Sequence, residues 1–233
     1  MIDKPVMIIT GTRKGIGKYL AEYYTEKKFQ VVGCSRGNVD FELDNYHHFT
    51  LDVCEEEDVK KMFSKIRKTY GRLDVLINNA GVASMNHVLL SPLKKTQDII
   101  NINFIGTFLF CREAGKIMKK RNYGRIINFT SIGTKLKIEG EAAYTASKAA
   151  VENFTEVLSR EYSEFGITVN AVGPTPVKTD LIRSVPKEKI ENITKRQAIN
   201  RLTENKDISN VIDFFISDKS DFITGQTIFL GGA

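Results

Sequence analysis

The sequence predicts an α/β protein built on a doubly wound parallel sheet with helices on both faces. Short apolar runs alternate along the chain with longer stretches of helical period. Parallel strands require crossover connections, which those longer stretches supply, and right-handed crossovers place helices on both faces. The 233 residues contain no internal repeat and no Pro/Gly-rich linker. We therefore expect a single domain over residues 1–233.

Each apolar run has the length of a buried strand, and each intervening stretch repeats apolar residues three or four apart. The predicted strands are residues 6–9, 31–33, 75–77, 125–129, 168–172 and 227–230. The predicted helices include residues 18–28, 55–70, 101–120 and 142–165. Ligands of such sheets bind at the carboxyl ends of the strands. Functional residues are therefore expected directly after the apolar runs.

Composition excludes several classes of protein. Hydrophobic residues make up 42% of the chain and charged residues 27%, as in soluble globular proteins. The net charge is +6, but basic and acidic residues are interleaved, so the clustered patch of a nucleic-acid-binding protein is absent. The longest apolar stretch, residues 104–111, is too short to cross a bilayer. Cys34, Cys54 and Cys111 lack CxxC spacing and are expected to be reduced thiols in a cytoplasmic protein.

A glycine-rich turn follows the first predicted strand. Residues 10–17 read TGTRKGIG, and a helical stretch comes next. Glycines in this position allow a pyrophosphate to approach backbone N–H groups at a helix N-terminus. The spacing is GxxxGxG rather than GxGxxG, and the alternative is a purely structural turn. We interpret the turn as a dinucleotide site.

The residues after the second predicted strand indicate which dinucleotide binds. An acidic residue here would hold the ribose 2′-hydroxyl of NAD, but the first acid is Asp40. Arg36 instead offers a planar cation for a 2′-phosphate, and Arg13 and Lys14 add to the same charge. The alternative is three solvated surface cations. The sequence favours NADP(H).

Tyr144 and Lys148 are four residues apart in a predicted helix, so they share one face. A nearby cation would lower the pKa of the tyrosine towards a range useful for proton transfer; the alternative is a solvated helix face. Ser131, just after the fourth predicted strand, suits a donor to a carbonyl oxygen. His47, His48 and His87 lie in unrelated segments, which argues against a Ser-His-Asp hydrolase. We also expect no metal site, because no cluster has ligand spacing.

Taken together, these features resemble those of the single-domain short-chain dehydrogenase/reductase family. The family's glycine motif matches residues 10–17, and its Asn-Asn-Ala-Gly motif matches residues 78–81. The resemblance implies a Rossmann-type sheet. The resemblance covers essentially the whole chain. It implies a catalytic tetrad of Asn103, Ser131, Tyr144 and Lys148. The cofactor contacts that the motifs and the resemblance imply are Gly11, Arg13, Lys14, Gly15, Ile16, Gly17, Arg36, Asp52, Val53, Asn79, Ala80, Gly81, Tyr144, Lys148, Val177 and Thr179.

The implied reaction is hydride transfer between a nicotinamide and a carbonyl or alcohol carbon, with a 3-oxoacyl thioester as the preferred substrate. A keto-sugar or another small carbonyl compound, a non-catalytic NADP(H)-sensing regulator and a nucleic-acid-binding protein are the alternatives. Phe165 stands where the family's 3-oxoacyl-carrier-protein reductases usually have a basic residue. This difference weakens the expectation that an acyl carrier protein is a partner. The resemblance also implies a homodimer or homotetramer. Basic and apolar residues at about 180–203 predict a mobile substrate lid that suits an anionic substrate.

Overall fold

The computed structural model describes residues 4–177 and 187–232. Seven strands in these ranges form one sheet in the order β3-β2-β1-β4-β5-β6-β7, and every neighbouring pair is parallel. The strand order reverses beside β1, so this is the doubly wound sheet that the sequence predicts. The strands are β1 (Val6–Thr10), β2 (Gln30–Ser35), β3 (Tyr46–Thr50), β4 (Val75–Asn78), β5 (Gly124–Phe129), β6 (Ile167–Gly173) and β7 (Thr227–Phe229).

Helices cover both faces of the sheet because its strands are apolar on both sides. In β1, Val6 and Ile8 join a core with α2, α4 and α6, whereas Met7 and Ile9 join a second core with α1 and α8. The helices are α1 (Gly15–Glu26), α2 (Glu56–Tyr70), α3 (Leu93–Ile100), α4 (Gly106–Met118), α5 (Gly133–Leu136), α6 (Ala142–Tyr162), α7 (Lys187–Lys195) and α8 (Asn205–Ile216). No helix in the described ranges combines the length and apolarity needed to cross a membrane.

The structure differs from the sequence-based prediction at two places that matter for the site. The edge strand β3 was not expected, because its residues are half-buried or exposed and form no apolar run. The helix predicted at 101–120 begins earlier, as α3, and a π turn at Asn101–Ile105 separates α3 from α4. A π turn inserts one residue into a helix, and the apolar residues of 101–120 do not by themselves indicate where it lies.

Candidate active site

The carboxyl ends of β1, β2, β4 and β5 open onto one cleft with a volume of about 500 Å³. It lies beside β1, where the strand order reverses, as expected for a ligand site in a doubly wound sheet. The residues from the predicted site that line it are Gly11, Arg13, Lys14, Gly15, Ile16, Arg36, Asp52, Val53, Asn79, Ala80, Gly81, Tyr144 and Lys148.

The loop from β1 to α1 requires glycine for two different reasons. Gly11 and Gly15 have φ angles of +78° and +61°, which glycine adopts without strain. A Cβ on Gly17 would lie 2.2 Å from the backbone oxygen of Gly11, so no side chain fits there. Asn79 closes the loop by donating from Nδ2 to the backbone oxygen of Thr10, at 2.9 Å. The result is a loop whose glycines leave backbone uncovered at the N-terminus of α1, which fits a pyrophosphate.

Cations border the part of the cleft next to β2. Arg36 directly follows β2, and Arg13 and Lys14 come from the glycine loop; all three side chains are exposed and line the cleft. Asp40, the first acid after β2, lies 3.5 Å from Lys18 in an ion pair. The corner is therefore positively charged, which fits a ribose phosphate better than a free ribose hydroxyl.

His48 supports this corner, although the sequence placed it in an unrelated segment. Its Nε2 lies 3.1 Å from the backbone oxygen of Gly37, a contact in which only the imidazole can donate. Its Nδ1 lies 2.8 Å from the Tyr46 hydroxyl, which also contacts the Thr12 hydroxyl at 2.8 Å. Burial lowers the pKa of His48. These contacts link β3 to the turn after β2, and pairing of β3 with β2 brings them together.

Ser131 and Tyr144 interact beside the cleft. Ser131 lies two residues after β5, and Tyr144 lies in the first turn of α6. Burial raises the pKa of Tyr144 to about 12, and a hydrogen bond with the Ser131 side chain opposes that rise. The expectation that Lys148 lowers this pKa stays a prediction, because Lys148 is not among the causes of the shift. Desolvation of the phenol and the Glu141 charge both raise the pKa of Tyr144.

The Lys148 ammonium is buried. Its Nζ donates to the backbone oxygen of Phe129 at 2.8 Å, and the residue is 4% exposed. Burial lowers the pKa of Lys148 to about 8. A Cβ on Gly81 would lie 3.5 Å from Lys148 Nζ and 3.3 Å from Asn103 Oδ1. The structure thus brings these two predicted catalytic residues to the same small space above Gly81.

Asn103 lies in the π turn, and its side chain is held by protein groups. Nδ2 donates to the backbone oxygen of Val82 and to the Ser147 hydroxyl, both at 2.9 Å. Oδ1 accepts from the backbone N–H of Val82 at 2.8 Å. Asn103 therefore connects the segment after β4 to α6, the helix that carries Tyr144 and Lys148.

The predicted cofactor contacts near the nicotinamide are divided between described and undescribed residues. Val177 is buried and forms an isolated bridge with Thr203, but it does not line the cleft. Thr179 and residues 180–186 of the predicted lid lie outside the described residues. The described part of the lid contains α7, and Ile193 of α7 packs with Ile132 and Leu136.

Two cations of the predicted lid have partners within the protein. Arg196 donates to the backbone oxygen of Leu136, and Arg201 forms an ion pair with Asp207 at 2.6 Å. The positive charge that the predicted lid could offer to an anionic substrate is therefore smaller than the sequence suggests. In the described part of the chain, no group of His, Cys, Asp or Glu side chains is arranged to hold a metal ion.

Comparison with known proteins decides the family. A family model described as enoyl-(acyl carrier protein) reductase matches residues 11–232. The chain belongs to the short-chain dehydrogenase/reductase family. The family and the fold predicted from the sequence are thereby confirmed, and with them the enzyme class, since this is a family of oxidoreductases.

Among relatives in this family, the 3-oxoacyl-[acyl-carrier-protein] reductase FabG of Escherichia coli is 30% identical, and the match covers 97% of this chain and 96% of the relative. The reductase of the same name from Staphylococcus epidermidis is 31% identical, with the same shares covered.

Solved structures of this family have the same fold. ElxO with NADP bound is 30% identical to this chain, with a TM-score of 0.89 over 97% of each chain. The aldohexose dehydrogenase of Thermoplasma acidophilum is 26% identical, with a TM-score of 0.89 over 98% of this chain and 93% of its own. ElxO and the aldohexose dehydrogenase thus share this backbone with the chain, and the backbone alone does not fix the substrate.

Proposed function

We propose that the protein reduces a ketone to a secondary alcohol with NADPH, and that the ketone is a 3-oxoacyl thioester. One observation carries the proposal. Tyr144 and Lys148 line the same cleft as the glycine loop and Arg36, and the side chain of Ser131 is hydrogen-bonded to Tyr144. A proton donor, an oxygen-binding hydroxyl and a dinucleotide cradle therefore adjoin one another.

The residues of the cleft fit NADPH along its length. The glycine loop would hold the pyrophosphate, Arg36 with Arg13 and Lys14 the 2′-phosphate, and Asp52 and Val53 the adenine. Asn79, Ala80 and Gly81 would border the rest of the dinucleotide, Lys148 the nicotinamide ribose, and Val177 and Thr179 the carboxamide. When bound, NADPH supplies the hydride. The binding of NADP in the structure of ElxO, a relative of the same length, supports this assignment.

The side chains of the site then handle the proton and the developing charge. Ser131 would donate a hydrogen bond to the substrate oxygen, where negative charge accumulates. Tyr144 would transfer its proton to that oxygen as a general acid. Because burial raises the pKa of Tyr144 to about 12, the phenol is protonated at neutral pH. This is the protonation state that a general acid needs for reduction.

Lys148 and Asn103 would restore the proton on Tyr144. With a pKa of about 8, the Lys148 ammonium exchanges its proton near neutral pH much more readily than an ordinary lysine. Asn103 is expected to hold a water that connects Lys148 with solvent. The shared space above Gly81, bordered by both side chains, supports this arrangement.

The substrate class rests on the relatives. The FabG reductases of Escherichia coli and Staphylococcus epidermidis match this chain along nearly its full length, and their names state a 3-oxoacyl substrate. A keto-sugar is the second candidate, because the aldohexose dehydrogenase shares the backbone equally closely.

We further propose a cytoplasmic homodimer or homotetramer in which α4 and α6 meet their symmetry mates. Phe108 and Val157 are 38% and 47% exposed. Phe108 and Phe154 form a ring contact at 5.9 Å between centroids. Exposed aromatic clusters of this kind are typical of protein interfaces.

A substrate panel tests the proposed function. NADPH oxidation is followed with acetoacetyl coenzyme A, keto-sugars and simple ketones, with NADH in parallel. We expect the highest kcat/KM with acetoacetyl coenzyme A and NADPH. Turnover of keto-sugars alone would move the substrate to the second candidate, and NADPH binding without turnover of any carbonyl compound would indicate a sensing regulator.

A further inference from the structure

Glu141 lies at the candidate active site, one helical turn before Tyr144. It immediately precedes α6, and its side chain is half-buried. A Cβ on Gly133 would lie 3.0 Å from Glu141 Oε2 and 3.4 Å from Ser131 Oγ. The carboxyl group and the catalytic hydroxyl therefore border the same space over the backbone of Gly133.

The Glu141 carboxyl has no hydrogen-bond or ion-pair partner among the described residues, and its oxygens are not enclosed by protein, so they are open to water or to a ligand. Glu152, about three turns further along α6, shows the ordinary arrangement. It accepts hydrogen bonds from Thr130 at 2.5 Å and Thr134 at 2.6 Å and pairs with Lys135 at 3.1 Å. An acid left without partners beside a catalytic site indicates a ligand contact.

The charged and titratable neighbours of Glu141 are Tyr144 on α6 and Lys189 on α7. Burial raises the pKa of Glu141 to about 7, and the Lys189 charge opposes that rise. In turn, an ionised Glu141 raises the pKa of Tyr144. A substrate that displaces water from this space would desolvate Glu141 further and favour its neutral form.

We infer that Glu141 anchors the substrate by donating a hydrogen bond from its neutral carboxyl to a second substrate oxygen, the thioester carbonyl oxygen of a 3-oxoacyl compound. This inference rests on the proposed function. A 3-oxoacyl thioester carries its two carbonyl groups one methylene apart. With the keto oxygen at Ser131 and Tyr144, the thioester oxygen falls towards the neighbouring carboxyl group. A neutral acid is a donor there, whereas a carboxylate would repel the oxygen.

The test compares two substrates and three variants. Acetoacetyl coenzyme A carries the second oxygen, and 2-heptanone does not. Glu141→Ala removes the donor, Glu141→Gln keeps one, and Glu139→Ala is a matched control because Glu139 is an exposed acid two residues away. We expect Glu141→Ala to raise KM for acetoacetyl coenzyme A about 3- to 10-fold, the usual effect of one lost hydrogen bond. For 2-heptanone, any effect of Glu141→Ala should come only through the lost charge beside Tyr144, so its KM should not rise. Glu141→Gln and Glu139→Ala should keep the wild-type KM for acetoacetyl coenzyme A.

The pH profile separates anchoring from a structural role. KM for acetoacetyl coenzyme A should rise in the wild type as pH passes about 7, where Glu141 loses its proton, and should stay flat in Glu141→Gln. Equal loss with both substrates in Glu141→Ala, or a Glu141→Gln variant as poor as Glu141→Ala, overturns the inference.

A binding measurement keeps the inference separate from the proposed function. Acetoacetyl coenzyme A is titrated calorimetrically into Tyr144→Phe loaded with NADP⁺, with and without Glu141→Ala. Weaker binding in the double variant supports the anchor even if turnover is low. Equal binding in both overturns it while leaving the reductase activity intact. If the wild type reduces no ketone and Tyr144→Phe does not bind acetoacetyl coenzyme A, the proposed function and the anchor both fail.

Discussion

The Nζ of Lys148 lies 2.8 Å from the backbone oxygen of Phe129, the last residue of β5. This hydrogen bond joins α6 to the strand that leads to Ser131, and it fixes the ammonium in a buried position. No described carboxylate forms an ion pair with it, so burial dominates and its pKa falls to about 8. The protein therefore keeps a cation at the site although its burial destabilises the fold. Functional groups often carry such a cost in stability.

Lys148→Met should consequently stabilise the fold while reducing turnover. Burial lowers the folded-state pKa of Lys148 to about 8, below the ordinary lysine value of 10.5. The cost of burying the charge is therefore fully present below pH 8 and is relieved as pH rises towards the unfolded-state value. We expect the variant to be more stable by about 2 kcal/mol at pH 7. Urea unfolding at several pH values measures this, and an advantage that does not shrink between pH 8 and 10.5 would contradict the burial argument.

Tyr144→Phe should lower kcat by about 10²- to 10⁴-fold, because the general acid is lost. NADPH affinity should remain near that of the wild type, since the ring and its position are retained. Single-turnover assays and fluorescence titration with NADPH measure the two effects separately. Near-normal turnover of the best substrate by the Phe variant would show that another group donates the proton.

Arg36→Asp should reverse or abolish a preference for NADPH over NADH. Charge-assisted hydrogen bonds to a phosphate contribute about 1.5–3 kcal/mol, so NADPH affinity should fall about 10- to 100-fold. Lys18→Ala is a suitable control, because Lys18 is a cation of α1 that pairs with Asp40 and does not line the cleft. Equal affinity of the wild type for both cofactors would refute the role of Arg36.

Gly17→Ala should damage cofactor binding through sterics alone. The added Cβ would meet the backbone oxygen of Gly11 at 2.2 Å, so the loop must shift, at a cost of about 1–3 kcal/mol. Gly71→Ala is the matched control. Gly71 has φ +69° with no atom within 4 Å of an added Cβ, so it costs about 1–2 kcal/mol of backbone strain and leaves NADPH affinity unchanged. Equal NADPH affinity in the two variants would show that the cradle tolerates a side chain.

Local patterns were sufficient for much of the fold. The apolar runs predicted six of the strands, and their alternation with helical stretches predicted that the strands run parallel. The sequence did not reveal β3, because an exposed edge strand needs no apolar run, nor the π turn at Asn101–Ile105. Strand β3 and the π turn both depend on how neighbouring segments pack against them.

The sequence by itself determined the glycines of the loop, the Tyr144–Lys148 spacing and the cation after β2, because each depends on residues close together in the chain. Only the tertiary structure decided which distant groups meet them. Pairing of β3 with β2 brings His48 under the turn at Gly37, and the bend before α6 brings Glu141 to Gly133 and Ser131. The same packing removes water from Tyr144 and Lys148 and shifts their pKa values in opposite directions. Desolvation is a property of the packed molecule, and no residue spacing encodes it.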